Sequence, residues 1–308
     1  MIVSGWLATL FTLAVVTDSV HSFGYDAYSY WSIDLNDLYG RAMASNFTLG
    51  AFRYAPPIAL LFAPLTVLPW WLFLWLWTAT SAAIITWLAG RWTLVVLALP
   101  PVALELYHGN VHLLIAAAIA LGFRFPWTWG FVILTKITPG LGVIWFAARR
   151  EWRSFAIAIG ATLVVSLVTF VIEPSYWTDF AASILSNLDE PQYFSIPPPA
   201  LFRIPIAILV VIWGARTDRP WTVPIAATLG LPILWPHGLT VAMAAIPFLR
   251  RGDRAALTPN WQWAASPRRL LLCLVLVVGG ALIVALIAPQ QVRELMDWAS
   301  AGLRPYDR

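Results

Sequence analysis

The stretch WTWGFVILTKITPGLGVIWFAARREW, Trp127–Trp152, decides the class of fold. It is apolar enough to cross a bilayer, and a basic pair, Arg149 and Arg150, follows the apolar run at once. Lys136, the only lysine of the chain, lies near its middle. A charge at that depth costs at least ~2.5–3.5 kcal/mol on insertion scales, so we expect Lys136 to face a cavity or an anionic partner such as a lipid phosphate. The structural alternative is pairing with Glu105 or with a backbone carbonyl.

The composition of the whole chain agrees with a membrane protein. It has 308 residues, of which 60% are hydrophobic and 11% are charged, and its mean hydropathy is +0.75. A soluble globular protein carries about 25% charged residues. The 19 tryptophans and 23 prolines are typical of bilayer interfaces and of interrupted membrane helices. The single cysteine, Cys273, excludes an intrachain disulfide and a zinc site built on several thiolates.

The hydrophobic pattern predicts an all-α polytopic membrane protein with about 11 transmembrane segments in a single domain, residues 1–308. The first apolar segment lacks the basic n-region of a signal peptide and is interpreted as an uncleaved span. The short pair within 92–124 is either two spans or two half-helices that enter and leave on one side. The apolar segments are 2–20, 54–69, 70–90, 92–107, 110–124, 127–147, 153–172, 200–215, 220–236, 238–249 and 269–288.

Charged residues separate by side when the N-terminus is placed in the cytoplasm. The cytoplasmic turns then hold ten arginines and three acids, and the opposite side holds eight arginines and eleven acids. The positive-inside rule selects this orientation in the cell membrane, so the net charge of +4 reflects topology and predicts no nucleic-acid partner. The outward parts are the first loop, 21–53, which carries short interfacial helices, the segments 173–199 and 289–308, and the turn around His237. Spans two to seven then occupy 54–172, and spans eight to eleven occupy 200–288.

The outward first loop contains a candidate general base. Asp26, in FGYDAYSYW, lies close to the first span, and Tyr28 and Trp31 would partly desolvate it and raise its pKa. The alternative is a solvated loop acid beside an aromatic interface belt. The following IDLNDLY predicts a short helix on the membrane surface, with Asp34 and Asp37 in solvated or capping roles.

Two further stretches carry polar side chains beside apolar runs. Arg53 and Tyr54 come just before the second span, where a cation would meet a phosphate or headgroup, or where the arginine would simply snorkel. The stretch ELYHGNVHLL holds four polar groups that would line an outward cavity if the pair is re-entrant: Glu105, His108, Asn110 and His112. They would form a cytoplasmic turn if both runs are true spans.

The stretch LPILWPHGLTV breaks an apolar run at Pro236 and Gly238, on either side of His237. This imidazole could donate to a phosphate or a hydroxyl on the outer side, although a lone histidine in such a turn more often has a structural role. The sequence has no cluster of cysteines or histidines with metal-ligand spacing and no nucleotide-binding glycine loop. It therefore predicts no metal site.

Five stretches, in order, resemble the polytopic glycosyltransferase family 87, which has the GT-C architecture. YDAYSYW with DLYG resembles the family's first-loop pattern, and FRYAPPIALLFAPLTVLP its Phe-x-Tyr-Pro-Pro segment. HGNVHLLIAAAIALG, LTKITPGLGVIWFAARREW and LPILWPHGLTV resemble its Gly-Gln/Asn-x-Asn-Leu-Leu, Lys-x-x-Pro and Ser-Trp-x-His-His-Leu motifs. Coverage runs from about residue 20 to residue 250. Two positions depart from these motifs: Gly238 stands where a second histidine is usual, and His112 where asparagine is common.

The resemblance implies a GT-C-like bundle that moves a sugar from a polyprenyl-phosphate donor to a glycolipid or glycan acceptor at the outer face, with inversion. The family includes polyprenol-phosphate-mannose-dependent mannosyltransferases, so a mannose-like hexose or a pentose is expected. The general base falls on Asp26, and His237 falls at the donor phosphate or the acceptor. From its depth and charge, Lys136 is expected to neutralise the leaving phosphate. A divalent cation would assist phosphate departure, but no ligand cluster in the sequence requires one.

The main rival hypothesis is a transporter or flippase for lipid-linked or small polar substrates. Broken helices and a charge near the bilayer midplane are also features of transporters. The internal symmetry common in transporters is not detectable in this sequence. A purely structural subunit is a third hypothesis, which Lys136 disfavours.

Overall fold

The computed structural model describes residues 2–20, 23–45, 48–187 and 195–251, and the regular elements in these ranges are helical. The predicted span 269–288 and the outer tail lie outside the described residues. The α-helices are α1 (Ile2–Val20), α2 (Tyr25–Trp31), α3 (Gly40–Ala44), α4 (Pro56–Phe62), α5 (Trp70–Ala89), α6 (Thr93–Leu97), α7 (Pro100–His108), α8 (His112–Gly122), α9 (Trp129–Thr135), α10 (Ile144–Ala148), α11 (Trp152–Ile172), α12 (Ser175–Ser186), α13 (Ala200–Arg216), α14 (Thr222–Leu229) and α15 (Ile246–Arg251).

Prolines and tight turns divide several predicted spans into shorter helices. The segment 54–69 forms α4, with two prolines at its start, and then the 3₁₀ helix Ala63–Val67. The segment 127–147 is interrupted at Lys136, which is extended, with φ −145° and ψ 113°. Pro139 follows, and a proline has no N–H with which to continue an α-helix. A 3₁₀ helix, Thr138–Val143, follows instead.

Two continuous helices are long and apolar enough to cross a membrane, Trp70–Leu97 with 28 residues and Trp152–Ile172 with 21. The first comprises α5 and α6, which are joined by the 3₁₀ turn Gly90–Trp92 at the predicted boundary of residues 90–92, where Gly90 has φ +57°. A third candidate is the pair α7 and α8, which bend by 110° at a short break and form either a broken span or a re-entrant loop. The bundle of about 11 spans stays a prediction.

The short helix α2 is held by aromatic packing against α5. The ring centroids of Tyr30 and Trp77 are 4.8 Å apart, and those of Tyr28 and Trp70 are 5.5 Å apart. Both tyrosines are buried. Such pairs contribute about 0.5–1.5 kcal/mol each beyond the area they bury. The helix that carries Asp26 is therefore fixed to one of the long apolar helices of the fold.

The segment IDLNDLY forms turns, so the prediction of a short helix there is wrong. The carboxylate of Asp34 accepts from the backbone N–H of Asn36 at 2.9 Å, and that of Asp37 accepts from Gly40 N at 3.1 Å. The second bond caps the start of α3, which confirms a capping role. Short acidic side chains compete in this way with the helical hydrogen bonds of their own backbone.

Loops that the charge pattern places on one side of the membrane lie together in the fold. Arg149 Nη1 pairs with Asp218 Oδ1 at 2.9 Å, which joins two of the arginine-rich turns. Asn187 Nδ2 donates to the carbonyl of Ala42 at 2.7 Å, which joins the segment after α11 to the first loop. Each contact thus joins two segments that the charge pattern assigns to the same side.

Candidate active site

Three polar side chains from three distant stretches meet at the first turn of α2. Asn110 Nδ2 donates a 2.8 Å hydrogen bond to Asp26 Oδ2, and His237 Nε2 lies 3.9 Å from the same oxygen. The N–H of Val111 donates to Asn110 Oδ1 at 2.7 Å, so the Asn110 amide is oriented with its NH₂ group toward the carboxylate. Asp26 is half-buried, and Asn110 and His237 are buried.

A close contact between α2 and the turn from α7 to α8 brings these groups together. Gly24 N donates to the carbonyl of Tyr107 at 2.8 Å. Gly109 has φ +68°, and a Cβ at that position would lie 2.7 Å from the Cβ of Ala27. Only glycine allows both this backbone conformation and this approach. The turn thus places Asn110 beside the first loop.

A second polar pair, Glu105 and His112, contacts the first group through the ring of His237. His112 Nδ1 donates to Glu105 Oε2 at 3.0 Å, and the N–H of Leu113 donates to Glu105 Oε1 at 3.3 Å. Glu105 and His112 are each 1% exposed. One ligand-type atom from each of Glu105, His112 and His237 lies within 4.8 Å of the others, so these residues could hold a metal ion.

Aromatic rings surround His237. Its imidazole stacks on Trp235 with an interplanar angle of 9°, and the rings of His108 and His112 each have centroids 5.3 Å from it. The hydroxyl of Thr240 donates to the His237 carbonyl at 2.7 Å. Three of the four histidines of the chain therefore meet at this place.

Lys136 lies beside Tyr54, whose ring packs against Tyr30 of α2. Its Nζ is 5.9 Å from the centroid of the Tyr54 ring, and the Tyr54 hydroxyl is 2.9 Å from that of Tyr30. The break after α9 frees the carbonyl of Leu134, which accepts from Ala55 N at 3.1 Å and so fixes Tyr54 beside the lysine. Lys136 is in electrostatic range of both Asp26 and Glu105.

The remaining predicted site residues differ in their surroundings. Arg53 is exposed, contacts the Tyr25 hydroxyl and acts through its charge on Asp26. The rings of Tyr28 and Trp31 pack on each other and on Trp70, and the Trp31 Nε1 donates to a backbone carbonyl. These two aromatic residues thus support α2.

The charge of Asp26 is set by opposing influences. Burial acts to raise its pKa, but the imidazoles of His237 and His108 oppose this effect. With the hydrogen bond from Asn110 and the charge of Arg53, they hold the pKa of Asp26 below its usual value. The expectation of a raised pKa is therefore wrong, because hydrogen bonds and nearby charges outweigh desolvation. Asp26 is ionised at neutral pH.

Two further residues of the cluster lie in stretches singled out from the sequence. Tyr30 follows Asp26 by one helical turn and shares its face. His112 belongs with Glu105 to the polar groups of ELYHGNVHLL, but their contact could not be predicted, because the chain bends between them. The usual motif position for a second histidine, Gly238, lies beside this ring, and its absent Cβ would be 3.8 Å from His112 Nε2.

Comparisons with known proteins identify the family of the chain. The family model of glycosyltransferase family 87 matches residues 52–258. The match includes the segments of Glu105, Lys136 and His237, and begins after Asp26. No curated protein and no solved structure shows a significant match. The family model covers two thirds of the 308 residues. This chain, with its apolar helices and its buried acidic and histidine cluster, belongs to glycosyltransferase family 87 and is a membrane glycosyltransferase.

Proposed function

We propose that the protein transfers a mannose-like hexose or a pentose from a polyprenyl-phosphate donor to a hydroxyl of a glycolipid or glycan, with inversion at the anomeric carbon. The observation that carries the proposal is the placement of the ionised Asp26 carboxylate against Asn110 and His237. A carboxylate with fixed partners at the boundary of an apolar bundle suits a reaction between a lipid-linked donor and a polar acceptor.

In the proposed reaction, Asp26 accepts the proton of the acceptor hydroxyl. The hydroxyl oxygen attacks the anomeric carbon as the bond from that carbon to the phosphate oxygen breaks, and the bonding electrons leave with the phosphate. The low pKa of Asp26 keeps the base in its ionised form, although it also makes the base weaker. The Asn110 amide holds the carboxylate in place before the proton moves.

Negative charge develops on the leaving phosphate, and two cationic side chains are suited to balance it. Lys136 lies beside Tyr54 at a break in the helix, where an ammonium can reach a ligand without crossing helical backbone. Arg53 is at the exposed end of the same cluster. We assign Lys136 and Arg53 to the donor phosphate, and His237 to the donor phosphate or the acceptor hydroxyl. Glu105, His108 and Asn110 complete the polar wall, with Tyr28 and Trp31 in support.

The proposed site faces the outside of the cell, with the N-terminus in the cytoplasm. This orientation is supported by the arginine-rich turns, two of which meet through Arg149 and Asp218 at the other end of the helices. The contact of Asn187 with Ala42 is consistent with an outward first loop joined to the segment after α11. The bend between α7 and α8 keeps Asn110 on that same side, as a re-entrant pair would.

The test uses purified protein, synthetic polyprenyl-phosphate sugars and a panel of hydroxyl acceptors. We expect Asp26→Asn to lower the transfer rate by about 10²–10⁴-fold, the usual contribution of a general base. Asp34→Asn, an exposed aspartate of the same loop, is the matched control and should keep the rate. Full transfer by Asp26→Asn would contradict the proposal. Movement of the donor across a vesicle membrane without a new glycosidic bond would instead support a flippase.

A further inference from the structure

The proposed proton transfer does not explain why Glu105, His112 and His237 form a buried cluster. The three side chains come from α7, from the first residue of α8 and from the 3₁₀ helix Pro236–Ala245, which follows α14. Their exposed fractions are 1%, 1% and 8%. A group of ionisable side chains this deeply buried requires partners, because desolvation penalises their charged forms.

The hydrogen bond between His112 and Glu105 explains only part of the cluster. It gives His112 Nδ1 a partner. His112 Nε2 is buried, and it has no hydrogen-bond partner among the residues that the structure describes. Gly238 lies beside this nitrogen: a Cβ there would be 3.8 Å from Nε2 and would meet Leu231 Cδ1 at 2.9 Å. A buried imidazole that meets a carboxylate at one ring nitrogen and has no partner at the other, next to a second imidazole, has the chemistry of a metal ligand.

We propose that Glu105, His112 and His237 bind one divalent transition-metal ion, of the zinc class. Two imidazoles and one carboxylate are the ligand set of many zinc sites that keep an open position for water or substrate. Imidazole nitrogen favours zinc and its neighbours over magnesium or calcium, which prefer oxygen. The three ligand-type atoms lie within 4.8 Å of one another, and side-chain rotations would have to bring them closer around an ion bonded at about 2 Å.

The surroundings of the cluster meet two further requirements of such a site. The contacts of Glu105 with His112 and Leu113, and the stacking of His237 on Trp235, orient the ligands in advance. A second carboxylate, Asp26, lies 3.9 Å from His237 Nε2. The two carboxylates would balance the charge of a divalent ion, and the open position would be available to a phosphate oxygen.

The experiment measures metal binding without donor or acceptor, so its result is independent of sugar transfer. The full chain is purified through a histidine-free tag, treated with a chelator and titrated with Zn²⁺, with metal content measured by mass spectrometry. We expect one tightly bound zinc per chain and, after loading with Co²⁺, the visible absorption of a cobalt ion with nitrogen and oxygen ligands. The matched control His108→Gln should keep the metal, because His108 lies beside the cluster but outside it.

The variants Glu105→Gln, His112→Gln and His237→Gln should each lower zinc affinity at least about tenfold, the usual minimum effect of disturbing a ligand or its support. Glu105→Gln keeps the shape of the side chain and a hydrogen-bond acceptor for His112, so its loss of zinc would not be due to unfolding. Folding of each variant is checked by its melting temperature and its elution volume. Absence of stoichiometric binding by the unmodified chain, or binding that survives all three substitutions, would overturn the proposal.

Discussion

Asn110 and Asp26, 84 positions apart in the chain, share a 2.8 Å hydrogen bond in which the amide donates to the carboxylate. The bond connects the sharp turn between α7 and α8 to the first loop, and it is oriented by the Val111 N–H on the other side of the amide. A carboxylate held by a single oriented donor has one oxygen engaged, and its other oxygen is available for a substrate proton. The relationship makes Asn110 a positioning residue for Asp26 under the proposed function.

Replacing Asn110 with alanine should slow sugar transfer by about tenfold or more, because a hydrogen bond to a charged group contributes about 1.5–3 kcal/mol. The effect should appear mainly in kcat, since Asn110 acts through Asp26. Asn36→Ala is the matched control, because Asn36 also donates to an aspartate of the first loop but at an exposed position. Equal rates for Asn110→Ala and the unmodified chain would show that the contact is not used in transfer.

The pH dependence of transfer should follow from the lowered pKa of Asp26. A carboxylate with a depressed pKa is ionised throughout the neutral and mildly acidic range, so protonation of Asp26 should not reduce kcat/KM above about pH 5. The same sign applies to stability: the contribution of the ionised carboxylate is present above the unfolded pKa and is lost as the pH falls through the folded pKa. In Asn110→Ala the fall in rate on the acid side should move to higher pH.

The measurement is kcat/KM from about pH 5 to 8, the range over which Asp26 and histidine titrations separate. Asp34→Asn, at an exposed aspartate of the same loop, is the matched control and should keep the same profile. A fall near neutrality that shifts in Asp26→Glu would assign an elevated pKa to Asp26 and contradict this prediction.

Gly109→Ala should impair transfer through the position of α2. The backbone at Gly109 has φ +68°, where an L-residue is disfavoured by about 1–2 kcal/mol, and the new Cβ would meet Ala27 at 2.7 Å. The helix α2 would have to shift, and Asp26 with it. Gly160→Ala is the matched control, because a Cβ there meets nothing within 4 Å in the middle of α11. We expect Gly160→Ala to melt at the same or a higher temperature, and Gly109→Ala to melt lower and to transfer sugar more slowly.

Lys136→Met separates a ligand-binding role from a structural one. Under the proposed function, loss of the ammonium should lower kcat/KM for the donor by about 10–100-fold, in line with about 1.5–3 kcal/mol for a charged contact. Stability should not fall, because methionine removes a charge that is unfavourable in an apolar bundle. Lys136→Arg should recover part of the activity. A lower melting temperature with an unchanged donor dependence would identify Lys136 as structural.

How much of this site could be predicted from the sequence depends on the residue. Asp26 stands out because it is a charged residue beside an apolar run, and His237 because helix breakers flank it within one. Lys136 stands out because a charge inside an apolar run is rare. Their side of the membrane follows from the arginines. Sequence could not predict that Asn110 reaches Asp26, because that contact depends on the 110° bend between α7 and α8.

The helices, like the site residues, could be predicted only in part from the sequence. The single helix Trp152–Ile172 coincides with its predicted span, since its long apolar run contains no proline. The region around Lys136 does not, because the break depends on Pro139 and on a partner for the freed Leu134 carbonyl, which Ala55 supplies from a distant stretch. Local pattern predicts where apolar helix is favoured, whereas the breaks that form the candidate site depend on tertiary contacts.

The turn that carries His237 depends on a buried arginine, which yields the last prediction. Arg203, in α13, is 4% exposed and donates to the carbonyls of Pro198, Leu229 and Pro232 at 2.7, 2.6 and 3.2 Å. The three bonds require the planar fork of a guanidinium, and lysine cannot reproduce it.

Arg203→Lys should therefore destabilise the fold by about 2–3 kcal/mol, roughly one charged hydrogen bond, and lower the apparent melting temperature in detergent by several degrees. Because Leu229 ends α14 and Pro232 lies between it and the segment of His237, the transfer rate should fall as well, even at temperatures where the variant is folded. The exposed Arg216→Lys is the matched control and should change neither quantity. A fold of unchanged stability would mean that the carbonyls find other donors, and the His237 turn would then be held by its own contacts, such as that of Thr240.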